Sequence, residues 1–204
     1  MHALLSRCSA LCAFTLLGAC AISAPRYQAV DSNVALLKAI SGARAGVGAV
    51  TASPALGQSR IDLHAIDMRA PEGDYAAYLK AALEADLSAA GLLDPAAPAQ
   101  VSATLLRNEI SAVRMQTHSG AVEARFVVTR GGKIVYDKLK RASASWETHV
   151  VSGMDTVTAR GQYPKLVGTL LAELYGDPDF VRALQRRDPP GQAPPSVRSL
   201  PLTP

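Results

Sequence analysis

The chain has 204 residues, 49% of them hydrophobic and 5% aromatic, with 21 Lys and Arg against 17 Asp and Glu. A net charge of +4 with both signs interspersed excludes the clustered basic footprint of a nucleic-acid binder. The cysteines are Cys8, Cys12 and Cys20, all at the amino-terminal end. The body therefore has no disulfide framework, no cysteine-ligated metal and no thiol chemistry of its own.

A short basic start, Met1 to Arg7, precedes an apolar run from Cys8 to Leu17. A span across a hydrocarbon core needs about 20 residues; this run is half that and has the length of a signal-peptide core. It ends in Leu17-Gly18-Ala19-Cys20, which resembles the lipobox of bacterial lipoprotein precursors at all four positions. The resemblance implies a thioether-linked diacylglycerol on Cys20, cleavage between Ala19 and Cys20, and an acylated new amino terminus. The plainer alternative is an ordinary secretory signal with Cys20 incidental. Each buried CH₂ contributes about 0.8 kcal/mol, so two or more acyl chains hold a protein durably where one does so marginally. Ala21 follows the cysteine, and by resemblance to the enterobacterial sorting rule the absence of Asp there favours the outer membrane.

Loss of residues 1–19 removes Cys8, Cys12 and Arg7, leaving 185 residues with a net charge of +3. That length suits one domain with a real core. No later apolar run approaches membrane-spanning length, so the body is expected on the periplasmic side, tethered at one end. The organisation expected is a signal peptide over 1–19, a tether over 20–31 containing Pro25, a single domain over 32–187 and a tail over 188–204. Six of the 17 tail residues are proline, and no apolar period survives there.

Within the domain, Ser32 or Asn33 is placed to cap a brief helix with Val34, Leu37 and Ile40 on one face and Gly42 at its end. Gly42, Gly46 and Gly48 lack the spacing of a phosphate loop and lead into a strand at 47–51. Residues 61–68 mix apolar residues on both faces, as in a strand covered on two sides. Asp62 and His64 share one of those faces and read as a surface pair. Residues 74–90 form the clearest helix: Tyr75, Tyr78, Leu79, Ala82, Leu83, Leu87 and Ala90 make the apolar stripe. Asp74 caps it, and Gly91 with Leu92 closes it in a Schellman ending.

A strand over 101–113 changes phase near Leu105–Leu106, which implies a bulge, and a polar turn holding His118 follows. Residues 122–130 and 133–146 then form a hairpin around Gly131-Gly132. A two-residue turn pairs Val128 with Val135 and Phe126 with Asp137. A three-residue turn with a bulge pairs Val128 with Ile134 and Phe126 with Tyr136, and aromatic cross-strand pairing favours it. Lys138, Lys140 and Arg141 on the outer half read as a solvated edge that resists further pairing, with anionic lipid headgroups as the alternative partner. Residues 148–162 read as loop, Pro164 as the first position of a helix ending near Gly176, and Asp177 as the cap of a last short helix.

No catalytic or metal site emerges. His64, His118 and His149 lie far apart without HxxxH or HExxH spacing, and no GxSxG elbow is present. Carboxylate pairs by spacing alone prove nothing.

The segments Tyr78-Leu79-Lys80-Ala81-Ala82-Leu83, Ala90-Gly91-Leu92, Arg125-Phe126-Val127-Val128, Val135-Tyr136-Asp137-Lys138 and Asp177-Pro178-Asp179-Phe180 are similar to a group of uncharacterised proteobacterial lipoproteins. Their α+β domain in turn resembles YajG-like and transport-auxiliary lipoproteins. The likeness covers residues 60–187 and implies fold and location, with no catalytic motif and no cofactor. The fold expected is α+β, a mainly antiparallel sheet of four or five strands with helices packed on one face. The leading functional expectation is a non-catalytic envelope lipoprotein that binds a partner protein or envelope component. An auxiliary subunit of a lipid or solute transport system comes second, and an enzyme with a site built by tertiary contacts third. An acyl-wide groove between helix and sheet favours the second, convergent buried His and carboxylates the third, and an exposed apolar patch or open sheet edge the first.

Overall fold

In a computed structural model the chain is described at residues 21–56, 60–63, 67–111, 117–147 and 154–185. The signal, the lipobox, His64, His149 and the Pro-rich tail lie outside the described residues. The strands are β1 (Ala21–Ser23), β2 (Gly46–Ala52), β3 (Arg60–Asp62), β4 (Asp67–Arg69), β5 (Ala99–Ser111), β6 (Thr117–Arg130) and β7 (Lys133–Glu147). The helices are α1 (Asp31–Lys38), α2 (Tyr75–Ala89), α3 (Met154–Tyr175) and α4 (Pro178–Gln185), with a 3₁₀ turn at Pro54–Leu56. The fold is α+β. A four-stranded sheet runs β2-β5-β6-β7, with β2 parallel to β5 and the remaining pairs antiparallel. A small sheet runs β1-β4-β3, and β1 is parallel to β4.

Helices α2, α3 and α4 pack on one face of the large sheet, and α1 packs on α2 and α3. Alternation along the strands explains why that face is chosen. Val101, Ala103 and Leu105 of β5, Val122, Ala124, Phe126 and Val128 of β6, and Tyr136 and Ala142 of β7 are all buried, as period-two patterning requires. Between sheet and helices, Tyr163 meets Tyr75 and Tyr78 edge-to-face, with ring centroids 4.9 and 5.1 Å apart. Such pairs add about 0.5–1.5 kcal/mol each beyond burial. Gly120 lets α3 come close, since a Cβ there would collide with Leu166.

The expected bulge in β5 is present: the register against β6 shifts between Leu105 and Arg107. Helix α2 ends as expected, with Leu92 N–H bonded to Leu87 O at 2.9 Å, Gly91 N–H to Ser88 O at 2.9 Å, and Gly91 at φ +73°. Asp74 caps its start by accepting from Ala77 N–H at 2.7 Å.

Other expectations are corrected. The stretch expected as a free tether is docked from Ala21 onward: β1 pairs with β4, and Ala24 and Tyr27 are buried. Neither hairpin register holds. Gly131 and Gly132, at φ +54° and +76°, make a two-residue turn closed by Arg130 and Lys133. Val135 then bulges out, so Val128 faces Tyr136 and Phe126 faces Lys138. The bulge shifts the register in the direction opposite to the one expected, so Tyr136 pairs with the β-branched Val128 and the Phe126–Tyr136 pair does not form. Neither Ser32 nor Asn33 caps α1, which starts after Val30 without a side-chain cap. The expected single strand over 61–68 is two short antiparallel strands, β3 and β4. His118 lies on β6, buried, rather than in a polar turn. Helix α3 begins ten residues before Pro164. Gly161, Thr156, Val157 and Thr158 are weak helix formers, and burial of Tyr163 against α2 outweighs them.

Two glycines test these assignments in opposite directions. Gly91→Ala forces a side chain into a left-handed backbone and should cost about 1 kcal/mol. Gly161→Ala, exposed in α3 with nothing within 4 Å of the new Cβ, should stabilise by about 0.5–1 kcal/mol. Urea unfolding midpoints of the two variants measure both effects.

Candidate functional site

The amino-terminal segment is held by one buried carboxylate. Asp86 lies on α2, on the same stripe as Leu79, Ala82 and Leu83, and is fully buried. Tyr27 Oη donates to its Oδ2 at 3.0 Å, Asn33 Nδ2 donates to Oδ2 at 3.1 Å, and Val30 N–H donates to Oδ1 at 3.2 Å. Asn33 also donates to Gly168 O of α3 at 3.0 Å. The network therefore joins segment 27–33 to two helices. Burial raises the Asp86 carboxyl above the ordinary range, and the bonds from Asn33, Tyr27 and Val30 pull it part of the way back. Tyr27 is raised by the same burial and by the neighbouring Asp86. An uncompensated charge here would be costly, and the three donors satisfy it.

A second carboxylate organises the far side. Asp177, between α3 and α4, accepts from Lys140 Nζ at 2.7 Å, Lys138 Nζ at 2.9 Å and Tyr136 Oη at 3.1 Å. It also caps α4 by accepting from Asp179 N–H at 2.8 Å. Burial alone would raise it, but the hydrogen bonds from Lys140 and Lys138 outweigh that and hold it down at about 2. Arg141 pairs with Glu123 at 2.6 Å. The three cations read from sequence as a solvated edge or a headgroup contact are instead committed to carboxylates of the body.

The opposite face of the large sheet is covered by no described helix. It carries ion pairs, Arg125 to Asp137 at 2.5 Å and Arg107 to Glu109 at 2.7 Å, interspersed with the half-buried Val127. Ile134 and Leu139 of β7 are exposed, Ile134 at 63%. An open hollow of about 420 Å³ lies between Arg107, Glu109, Ser119, Ala121, Ser143 and Ser145. Its walls offer hydroxyls and one ion pair, without a nucleophile–base couple. The large sheet ends in β7, whose outer edge pairs with no described strand.

Among the described residues no group of His, Cys, Asp and Glu is arranged to hold a metal. His118 packs against Trp146 with ring centroids 6.3 Å apart, as a core pair. The Asp62–His64 pairing falls partly outside the described residues, as do Ala19 and Cys20. No described helix is long and apolar enough to cross a membrane.

No family model and no curated protein matches the chain. Among solved structures, a Xanthomonas campestris protein of family DUF330 superposes with a TM-score of 0.54 at 9% identity, covering 76% of this chain and 92% of its own. The two share a fold. A Caulobacter crescentus protein provisionally assigned as a lipoprotein reaches 0.41 at 13% identity over 54% of this chain and 84% of its own. A minor lipoprotein of Acinetobacter baumannii reaches 0.37 at 9% identity over 69% and 90%. A relation to YajG-like proteins is not part of what these matches show.

Sequence reasoning placed Asp177 correctly as the cap of α4 but missed its pairing with Lys138 and Lys140, and missed the Asp86 network with Asn33 and Tyr27. The signal for Asp86 was present, because a carboxylate on an apolar helical stripe must be buried with partners. Asp86→Ala should cost about 3 kcal/mol in urea unfolding by stranding Tyr27, Asn33 and Val30 donors, and amide exchange across 21–33 should accelerate. The two carboxyls also set pH dependences of opposite sign. Asp177, held low, contributes stability that is present above the unfolded value of about 3.9 and lost as pH falls toward 2. Asp86, held high, contributes stability present at acid pH and lost as pH rises through its folded pKa. Asp177→Asn should therefore flatten the loss of thermal stability between about pH 4 and pH 2, while leaving the change at higher pH in place.

Proposed function

We propose that the chain is a non-catalytic lipoprotein of the bacterial cell envelope, anchored through Cys20 on the periplasmic side, most consistently in the outer membrane. It acts by binding a partner protein through the uncovered face and free edge of its large sheet. The anchor rests on Leu17-Gly18-Ala19-Cys20 at the end of a signal-length apolar run. The binding role rests on β7, a 15-residue edge strand that displays Ile134 and Leu139 beside an open sheet face. Edge strands expose unpaired backbone groups that a partner's strand can complete.

The transport reading asked for an apolar groove between helices and sheet. That space is filled by Phe126, Tyr163, Leu170, Leu171 and Leu174, so lipid carriage inside the body has no support. Attachment to a transport assembly remains one form that partner binding can take. The enzymatic reading asked for convergent histidine and carboxylate; the one described histidine, His118, packs against Trp146 instead.

Mass spectrometry of the mature protein tests the anchor: acyl mass on Cys20 is expected, and Cys20→Ser should accumulate uncleaved precursor. An unmodified amino terminus elsewhere would contradict it. A photo-crosslinking residue at Leu139 or Ile134 should capture a discrete protein partner in intact envelopes, and one at Glu84 on the helical face should not. Capture at Glu84 alone, or at none of the three, would refute the sheet-edge role.

A further inference from the structure

The anchored reading leaves open how the body sits relative to the bilayer, and the course of residues 21–33 answers that. Cys20 is one peptide, about 3.8 Å between Cα atoms, from Ala21. Ala21 is already in register with Asp67, Ile22 with Met68 and Ser23 with Arg69. Ala24 N–H bonds to Arg69 O at 2.8 Å, and Tyr78 Oη donates to Pro25 O at 2.9 Å. Tyr27, Val30 and Asn33 then close on Asp86. A flexible spacer of that length would let the body wander roughly 20 Å from its anchor. Here the chain is committed to the fold from its first described residue.

The small sheet lies at one pole of the molecule. Strand β2 follows β5 up to the Ala52–Leu105 pair, Ser53 N–H bonds Leu105 O at 2.8 Å, and the chain continues through the 3₁₀ turn and β3, both against β5. The start of α2 joins this pole, since Tyr75 Oη donates to Met68 O at 2.8 Å. The opposite pole holds the Gly131-Gly132 turn, beside Ala99 through its pairing with Arg130. The last turn of α4 is there too, with Arg130 Nη2 donating to Leu184 O at 3.0 Å. Strands β5, β6 and β7, of 13 to 15 residues, run along the direction from one pole to the other.

We propose that the body stands directly on the lipid surface on its β1-β4-β3 pole, without a spacer, and presents the β6–β7 turn away from the membrane. The proposal rests on the reading that Cys20 is acylated. It assigns the headgroup layer as the partner of the small-sheet pole, where Arg69 is exposed one strand over from β1. It also sets the open face and edge of the large sheet upright, along the direction from bilayer to periplasm.

The mature chain has no free thiol once Cys20 is acylated, so an introduced cysteine labels uniquely. Arg69→Cys and Lys133→Cys are made in the full acylated protein, labelled with a fluorophore and reconstituted in phosphatidylethanolamine–phosphatidylglycerol vesicles carrying headgroup spin labels. Quenching should be at least about threefold stronger at position 69 than at 133, because the two positions sit at opposite poles of the body. A Gly/Ser spacer inserted between Cys20 and Ala21 should erase most of that difference. Equal quenching in protein whose acylation is verified by mass, or stronger quenching at 133, overturns the orientation while leaving the anchor intact. Absence of acyl mass overturns the anchored reading and this proposal together.

Discussion

Asp86 is the interaction on which the architecture turns. A carboxylate at the centre of an apolar helix stripe is tolerated only where donors come to it, and those donors are Tyr27, Val30 and Asn33 of the amino-terminal segment. The same asparagine reaches Gly168 of α3. One buried group thereby ties the amino-terminal segment to α2 and α3, two of the three helices that cover the sheet. An apolar residue at 86 would pack without demanding anything of residues 27–33. The polar solution specifies where the segment must lie, which is the role buried polar groups serve best.

That constraint would give the proposed anchor its mechanical meaning. A lipid on Cys20 would hold any attached domain near a bilayer, but only a chain built into the fold from Ala21 transmits a direction. Strand β1 parallel to β4, the bond from Tyr78 to Pro25 and the Asp86 network fasten that chain to the body at successive points along α2. Helices cover one face of the large sheet, where Lys138 and Lys140 pair with Asp177, while Arg141 pairs with Glu123 on the other face. The exposed apolar side chains of β7 lie on that uncovered face, and the outer edge of β7 pairs with no described strand. The two buried carboxylates, Asp86 and Asp177, serve to hold these elements together.

Much of this was legible in the residues. The stripe from Tyr75 to Ala90, the Asp74 cap and the Gly91–Leu92 ending are local patterns, and local patterns determine their own geometry. The phase change at Leu105–Leu106 announced a bulge because alternation allows no other reading. What escaped were features decided across long sequence separations. Residues 21–30 look like linker because Pro25 and scattered polar groups carry no period, yet Asp86, 56 residues from Val30, captures them. Lys138 and Lys140 look like free edge cations until α4 brings Asp177 over them. The register of β6 with β7 depends on a bulge at Val135, which sequence places on neither side. The lipobox-like Leu17-Gly18-Ala19-Cys20 is a pattern of sequence alone, whereas the fold shared with the DUF330 structure is visible only in three dimensions.

The claim that joins these observations is that the anchored protein has no slack between lipid and body. Neutron reflectometry of the acylated protein on a supported bilayer measures this directly, as the scattering-length profile along the membrane normal. The account predicts protein density beginning at the headgroups and continuing outward along the strands, without an intervening water layer. A hydrated gap of about 20 Å, the reach of a free tether of this length, would contradict it.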